Sequence, residues 1–301
     1  MEENLNFKEM PTEESTPDRV SMSRAYGLIA TIERNIALRK FRKGMLYETT
    51  SEQKWNSAAL HSGYNLALAL AYLRANADMK TGSKIICGIE NKIGFAKNGL
   101  LLSRNKGLNC YTQDSAMLAI AYSHLDEKKK ARDLVARIEK HIGFGEIEGR
   151  RYVYVGDELM GMFTLPNVLM ASAYLSIGER DKARELIMAV EKFVGFEKYS
   201  DEQKLAYEDF SRQTINTPAN AALATAYFDM MNPDGNKIIY AIDSRIGCYH
   251  SQRGSFAKYS IEDYYKPELD HLIYCNALLA VAFDAKARFE LEKNGLGHNR
   301  L

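Results

Sequence analysis

The sequence is poor in the residues and patterns that mark several common protein classes. Its 301 residues contain 4 cysteines, 6 prolines and 1 tryptophan, and Lys plus Arg (40) almost balances Asp plus Glu (39). No Cys-x-x-Cys spacing occurs, which argues against a zinc or dithiol redox motif, and a chain of this length needs no disulfide staples. Balanced charge argues against a general basic field for nucleic acid. No apolar run reaches the ~18 residues that a membrane span needs.

Familiar catalytic and cofactor motifs are missing as well. The chain contains no G-x-x-x-x-G-K-[ST] phosphate loop, no G-x-S-x-G elbow and no metal-ligand spacing of His and Cys. We therefore expect no cofactor and no metal. The acidic, polar first residues lack the basic and apolar regions of a secretory signal. We expect a cytoplasmic protein with reduced thiols and with no nucleic-acid or membrane partner; the sequence leaves its oligomeric state open.

One apolar, alanine-rich segment recurs five times along the chain. The copies align without gaps, and each ends in an aromatic residue 50, 52, 53 or 56 positions after the previous one. Self-similarity at a nearly constant period indicates a repeat architecture. The copies are NLALALAY (65–72), SAMLAIAY (115–122), NVLMASAY (167–174), NAALATAY (220–227) and NALLAVAF (276–283).

A second motif lies between these copies in the same phase. Its glycines are 49, 52 and 52 residues apart, and a degenerate version, IERNIAL, occupies residues 32–38. Two motifs that repeat together predict units of about 50 residues with two helices each. The copies are IENKIGF (89–95), IEKHIGF (138–144), VEKFVGF (190–196) and IDSRIGC (242–248).

The two predicted helices of a unit differ in character. The alanine-rich helix is apolar almost all round, which predicts burial inside a larger assembly. The other helix is amphipathic: apolar positions within residues 127–143 recur at spacings of 3, 4 and 7, and Gly143 stands where a helix end favours positive φ. A hydroxyl residue opens four of the buried helices, and we interpret it as an N-cap. These residues are Ser62, Thr112, Thr164 and Thr217.

The order of the helices favours a closed ring. The chain begins with an outer helix near residues 19–38 and ends with an inner helix near residues 268–290. In an open solenoid each end would leave half a unit uncovered, whereas in a ring the two ends form the missing hairpin. We predict an all-α fold, an α/α toroid of about five helical hairpins. Its expected divisions are a flexible N-terminal segment (1–18), a single toroid domain (19–295) and a C-terminal tail (296–301).

Polar and aromatic stretches link the units. Several open with glycine and continue with β-type residues, as in Tyr152-Val153-Tyr154-Val155, which predicts short β-hairpins in long loops. The inner helices of a toroid run in one direction, so their N-terminal ends and these loops meet at one rim. Unpaired N–H groups gather there, and we expect the rim to bind an anionic or hydroxyl-rich small molecule.

The combined pattern resembles a family of enzymes. Hairpins of ~50 residues, an A-x-A-Y inner helix, a K-A-R-E-L outer helix and I-G-F before a Gly-rich hairpin look like the six-hairpin glycosidase-like superfamily of α/α toroids. The sugar epimerase and unsaturated-glucuronyl hydrolase branches are the most similar in pattern. The resemblance covers residues 19–295, with about five hairpins in place of six. It implies a carbohydrate-active enzyme with carboxylate acid/base chemistry and assigns no individual catalytic residue.

The predicted rim is rich in acidic side chains, and glycoside hydrolysis needs two opposed carboxyls. Any one acid near a helix start often serves only the helix dipole. Asp114 stands out because the equivalent positions hold Tyr64, Pro166, Ala219 and Cys275. The catalytic candidates are Asp114, Asp157, Asp209, Asp263, His61 and His271, and the substrate-binding candidates are Tyr64, Tyr111, Arg104 and Trp55. The other rim carboxylates are Glu48, Glu52, Glu158, Glu208, Glu262, Glu268 and Asp270.

Three functions compete on this evidence. The first is an intracellular enzyme, a glycoside hydrolase or a sugar epimerase or lyase, acting on a carbohydrate or related polar molecule in the toroid mouth. The second is a noncatalytic helical-repeat module that binds a protein, and the third is a terpenoid-cyclase-like enzyme. A pocket with two carboxyls favours the first, an open concave face the second and a wide aliphatic cavity the third. Trp55 is the only tryptophan, which argues against a carbohydrate cleft, although 18 tyrosines offer stacking surfaces.

Overall fold

The described part of the chain forms two layers of helices joined by short β-hairpins. The computed structural model describes residues 17–36, 38–41, 44–47, 60–74, 78–105, 109–156, 161–251, 254–260 and 269–295. The inner helices are α2 (Ser62–Arg74), α4 (Thr112–His124), α6 (Thr164–Ile177), α8 (Thr217–Asp229) and α10 (Leu269–Lys293). The outer helices are α1 (Pro17–Asn35), α3 (Met79–Lys92), α5 (Lys128–His141), α7 (Arg180–Ala189) and α9 (Asp234–Ala241). The last two continue into π-helical turns, Val190–Val194 and Ile242–Ile246.

The inner helices close into a ring. Helix α2 packs on α4, α4 on α6, α6 on α8, α8 on α10, and α10 returns to α2. Outer helix α1 packs along α10, so the two ends of the chain form the fifth hairpin. Fully buried alanines such as Ala67, Ala69 and Ala71 leave room for neighbouring helices to approach closely. The predicted α/α toroid and its closure by the first and last helices are confirmed.

The helix end predicted at Gly143 is confirmed. Gly143 has φ of 82°, and its N–H reaches Ile138 O at 3.2 Å, so it ends α5 in the left-handed conformation expected of this motif. Helix α10 is described from Leu269, and residues 261–268 lie outside the described part of the chain, so the earlier start suggested by Pro267 stays a prediction. The proposed flexible segment lies outside the described residues up to position 16, as does the tail at 296–301.

Among the described residues, four antiparallel β-hairpins follow outer helices, as the Gly-rich stretches predict. They are β1 (Leu38–Phe41) with β2 (Gly44–Tyr47), β3 (Phe144–Ile147) with β4 (Arg150–Val153), β5 (Phe196–Ser200) with β6 (Gln203–Ala206), and β7 (Cys248–Ser251) with β8 (Gly254–Ala257). Beside each of these hairpins a buried asparagine near the start of an inner helix holds the second strand. Asn167 accepts from Val153 N–H (2.8 Å) and donates to Val153 O (3.2 Å). Asn65 and Asn220 hold Tyr47 and Ala206 in the same way.

The hydroxyl residues that open the inner helices do not serve as N-caps, so that prediction is wrong. Thr112 and Thr164 are the first helical residues, and Tyr111 and Phe163 occupy the cap positions without capping through their side chains. Thr164 instead donates its hydroxyl proton to Tyr207 O (2.6 Å), and its N–H donates to Glu208 O (2.7 Å). The hydroxyl therefore ties the helix start to the loop of the next unit, because a helix N-terminus leaves donors for such partners.

The repeated tyrosine and glutamate form a bond between successive units. Tyr174 on α6 donates to Glu139 on α5 (2.6 Å), and equivalent bonds join Tyr72 to Glu33 (2.9 Å) and Tyr122 to Glu90 (2.7 Å). The unit that closes the ring differs, since Phe283 has no hydroxyl. There Arg24 places its guanidinium 4.1 Å from the Phe283 ring centroid and pairs with Asp243 at 2.6 Å. Lys130 and Lys182 lie over Tyr122 and Tyr174 and pair with Glu90 and Glu139 in other units, so this junction keeps the cation and lacks only the hydroxyl.

A network of charged side chains ties the C-terminal ends of the inner helices beside a cavity of about 260 Å³. Arg74 donates to both Asp229 oxygens (2.9 and 2.7 Å), and Arg288 donates to Arg74 O (2.7 Å) and pairs with Asp284 (3.0 Å). Burial, followed by the positive charges of Arg74 and Arg288, lowers the pKa of His124 to about 3. This histidine is neutral near pH 7, and the network joins α2, α8 and α10.

Candidate active site

A cavity of about 400 Å³ with polar and apolar walls opens at the rim where the inner helices begin. Corresponding positions of successive units build its wall. One ring of side chains comes from the residues directly before the hydroxyl residues Ser62, Thr112, Thr164 and Thr217. These are His61, Tyr111, Phe163 and Asn216. A second ring of side chains comes from Ser103, Val155, Glu208 and Tyr259. The backbone carbonyl of each of these residues accepts a hydrogen bond from the N–H of the hydroxyl residue that opens an inner helix. The repeat therefore delivers different side chains to equivalent places around one opening.

Isolated β-bridges hold these two rings of residues together. His61 pairs with Arg104, Tyr111 with Gly156, Phe163 with Asp209 and Asn216 with Ser260. Each bridge joins the entry of an inner helix to the loop from the following unit. Because backbone pairing fixes both chains, the side chains beside the bridges enter the cavity from a rigid frame.

Asp114 is a buried carboxyl in the wall of this cavity. It lies in the first turn of α4 with 4% of its surface exposed, and Ser62 on α2 donates a hydrogen bond to its Oδ2 at 2.6 Å. Burial raises the pKa of Asp114 to about 7, against the opposing effect of the Ser62 hydrogen bond. A carboxyl with this pKa exchanges a proton near neutral pH, the property required of a general acid or base.

Gly63 leaves the space that the Asp114 carboxyl occupies. A Cβ atom on Gly63 would lie 3.0 Å from Asp114 Oδ1. The other units place Gln113, Leu165, Pro218 or Tyr274 at the same repeat position. The two departures of this region from the repeat, an acid at 114 and a glycine at 63, are therefore spatial neighbours across the α2–α4 contact.

Glu208 is a second carboxyl in the cavity wall. It is half-buried beside Asn216, and burial raises its pKa; a hydrogen bond with Asn216 opposes that rise and the negative charge of Asp209 adds to it. Its backbone is fixed on both sides, by its own N–H to Thr214 O and by its carbonyl to Thr164 N–H, each at 2.7 Å. The cavity thus contains two carboxyls carried by different units.

Aromatic side chains cover another part of the wall. Tyr64 lies 5.6 Å from His61, 5.6 Å from Tyr274 and 6.3 Å from His271 between ring centroids, and Tyr259 lies 5.3 Å from His271. Burial, then the charge of Asp114, raises the pKa of Tyr274, which keeps its phenol protonated. Such a cluster offers flat apolar faces with polar edges, a combination suited to a sugar ring.

The candidates from the sequence separate into three groups. Asp114, His61, His271, Tyr64 and Tyr111 line the cavity together. The Asp209 carboxylate accepts from Ser211 N–H at 2.8 Å in an exposed turn, and Arg104 has an exposed side chain while its backbone pairs with His61. Trp55, Asp157 and Asp263 lie outside the described residues.

Sequence reasoning did not select Glu208, Tyr259 or Tyr274. Glu208 was one of the rim carboxylates, next to the selected Asp209. The bridge of Phe163 with Asp209 leaves the preceding residue facing the cavity. The register of the repeat carries this signal, because Ser103, Val155 and Tyr259 occupy the same place in their units and also line the cavity.

The described residues form neither a metal-ligand group nor a membrane-spanning helix. No three His, Cys, Asp or Glu side chains among the described residues are grouped so that they could hold a metal ion. Across the same residues, every helix is too short or too polar to cross a bilayer.

Comparison with solved structures finds the same fold in glycoside hydrolases. The α-mannanase of glycoside hydrolase family 76 from Bacteroides thetaiotaomicron matches with a TM-score of 0.58 and 11% identity, covering 89% of this chain and 88% of that one. The endo-β-1,4-glucanase CMCax from Acetobacter xylinum matches with a TM-score of 0.55 and 13% identity, covering 90% of this chain and 99% of that one. An inactive α-1,6-mannanase variant from Salegentibacter sp. HEL1_6, in complex with α-1,6-mannotriose, matches with a TM-score of 0.55 and 12% identity. The match covers 89% of this chain and 99% of that one. No family model and no curated protein sequence matches this chain. The chain has the α/α-toroid fold of these enzymes.

Proposed function

We propose that this protein is an intracellular enzyme that hydrolyses a glycosidic bond of a carbohydrate bound in the toroid mouth. The observation that carries the proposal is the buried Asp114 carboxyl, with its pKa raised to about 7, in the same cavity as Glu208. Glycoside hydrolysis uses two carboxyls in different protonation states. The aromatic cluster around Tyr64 supplies a surface for a sugar ring.

The two carboxyls divide the work according to their surroundings. Asp114 is the more deeply buried, so it carries a proton near neutral pH and donates it to the oxygen of the departing sugar. Glu208 is only half-buried and acts from its ionised form, either activating water or attacking the anomeric carbon. Water supplies the hydroxyl group of the new reducing end, and its remaining proton returns the acid to its starting state.

The shape of the site argues against the two other functions. A protein-binding solenoid presents an open concave face, whereas the inner helices here close upon themselves around a pocket. A terpenoid cyclase needs a wide aliphatic cavity, but this wall carries Asp114, Glu208, His61 and His271. The two histidines support sugar epimerisation as a second candidate, because epimerases need paired groups that remove and return a proton.

The experiment is a substrate screen with matched variants. Purified protein is incubated with α-1,6-manno-oligosaccharides and β-1,4-gluco-oligosaccharides, and new reducing ends are measured while proton NMR follows anomers and epimers. On any substrate that is cleaved, Asp114→Asn and Glu208→Gln should each lower kcat by about 10²–10⁴-fold, because an amide cannot transfer the proton.

Asp209→Asn is the control for those variants, since it removes a neighbouring carboxylate that is engaged in a turn. Its kcat should stay within a few-fold of the wild type. If Asp114→Asn retains full turnover while remaining folded, the assignment of this carboxyl is wrong. Epimers without new reducing ends would favour the second candidate.

A further inference from the structure

The hydroxyl at the start of α2 departs from the pattern of the repeat. In three units the hydroxyl donates to one loop carbonyl: Thr112 to Tyr154 O (2.5 Å), Thr164 to Tyr207 O (2.6 Å) and Thr217 to Lys258 O (2.5 Å). Ser62 Oγ lies within reach of two different acceptors, Ser103 O at 3.0 Å and Asp114 Oδ2 at 2.6 Å. The Ser103 carbonyl also accepts the Ser62 N–H at 3.0 Å.

A serine hydroxyl has one proton to donate and two lone pairs to accept with. It can therefore bond to only one of these acceptors at a time as a donor. When Asp114 is ionised, the Ser62 proton faces the carboxylate. When Asp114 is protonated, its own O–H donates to Ser62 Oγ, and the Ser62 proton turns to the Ser103 carbonyl. In both states Ser62 Oγ, Asp114 Oδ2 and Ser103 O keep a hydrogen-bond partner, which matters because Ser62 and Asp114 are buried.

We propose that Ser62 is a positioning residue that turns its single hydroxyl proton between Ser103 O and Asp114 Oδ2, so that Asp114 keeps one geometry through its protonation cycle. This inference rests on the proposed function only for its consequence in catalysis. When the Asp114 O–H bond breaks and the proton passes to the departing sugar oxygen, the Ser62 proton turns to the new carboxylate. When water returns a proton to Asp114, it turns back. No proton leaves Ser62 in either step.

Direct titration of Asp114 tests the inference without any substrate. The carboxyl carbon is followed by NMR in protein labelled with ¹³C at the aspartate side-chain carboxyls, and Asp114→Asn identifies the signal. Ser62→Ala removes the donor to the ionised form, so the midpoint for Asp114 should rise by about one pH unit. Ser62→Cys retains volume with a weaker donor and should give a smaller rise.

Thr217→Ala is the matched control, because it removes an equivalent hydroxyl that bonds only a backbone carbonyl. It should leave the Asp114 midpoint unchanged. The other titratable groups that line the cavity are the same in all these variants, namely His61, Tyr64, Tyr111, Glu208, Tyr259, His271 and Tyr274. An Asp114 midpoint that does not move in Ser62→Ala, or that moves equally in Thr217→Ala, would overturn the inference. If Ser62→Ala does not fold, the Ser62→Cys titration decides by the same comparison.

Turnover separates this inference from the proposed function. On a cleaved substrate, the alkaline limb of kcat/KM should move upward with the Asp114 midpoint in Ser62→Ala, since the protonated acid is the active form. A shifted titration with no turnover on any sugar would support the role of Ser62 and contradict the hydrolase. Turnover by Ser62→Ala in which neither the alkaline limb nor the Asp114 midpoint moves would support the hydrolase and contradict the role of Ser62.

Discussion

Asp114 should cost the protein stability at neutral and alkaline pH, and Asp114→Asn should remove that cost. The pKa rises from 3.8 to about 7 because burial disfavours the ionised carboxylate. Between these values the native state retains a proton that the unfolded state has lost, so the free energy of unfolding falls as the pH rises. The loss begins near pH 4 and is complete above pH 7.

The size of the stability cost follows from the same rise in the pKa of Asp114. One pKa unit is worth about 1.36 kcal/mol, so the full rise corresponds to about 4 kcal/mol. Asp114 is only 4% exposed, but its cavity opens to solvent, and water there softens the penalty. We expect about 2–4 kcal/mol. This is a large share of the 5–15 kcal/mol that usually holds a domain folded.

The assay is urea denaturation of wild type and Asp114→Asn between pH 4 and pH 9. Near pH 4 the two proteins should have similar free energies of unfolding, because an amide and a protonated carboxyl are alike in charge and size. By pH 8 the variant should be the more stable by the amount above. Asp209→Asn controls for the loss of one negative charge. A difference that is constant with pH, or that grows towards acid, would refute the reasoning.

Two further predictions concern the bonds between units. Tyr174→Phe should lower the free energy of unfolding by about 1–2 kcal/mol, because its hydroxyl donates to the Glu139 carboxylate; denaturation of a double-mutant cycle with Glu139→Gln checks this, and additive losses would contradict it. Arg74→Met should cost about 3–5 kcal/mol, because it removes two hydrogen bonds to Asp229 and one of the two cations beside the buried Asp284 carboxylate. In urea denaturation, adding Asp284→Leu should recover part of the lost free energy of unfolding. If the double variant loses as much as Arg74→Met or more, the ion pair of Arg74 with Asp284 does not contribute as proposed.

The fold was largely predictable because each repeat encodes its own packing. The apolar inner segments and the amphipathic segments ending at glycine imply one buried and one outer helix in each unit, by periodicity alone. The half-units at the two ends then imply closure, and α1 packs on α10 as expected. The pair of Arg24 with Asp243 in the unit of Phe283 became visible only in the structure.

The site was only partly predictable. Asp114 could be selected because the equivalent positions of the other repeats hold no acidic residue, and such a difference is visible in the sequence. Glu208 could not be distinguished from Asp209, because that choice depends on which residue the bridge with Phe163 turns towards the cavity. The hydroxyl residues were assigned to capping because local preference favours it, whereas the loops of the next unit supply their actual partners.

The sequence by itself determined the repeat, the two helix types and the rim where the loops meet, since these depend on residues close together along the chain. Only the tertiary structure brought Ser62 and Asp114 together, 52 positions apart, and placed Glu208 in the same cavity. The physical reason is that burial, hydrogen bonding and neighbouring charge set the properties of a carboxyl. For Asp114 the hydrogen bond comes from another unit of the ring, and burial in the folded protein raises the pKa.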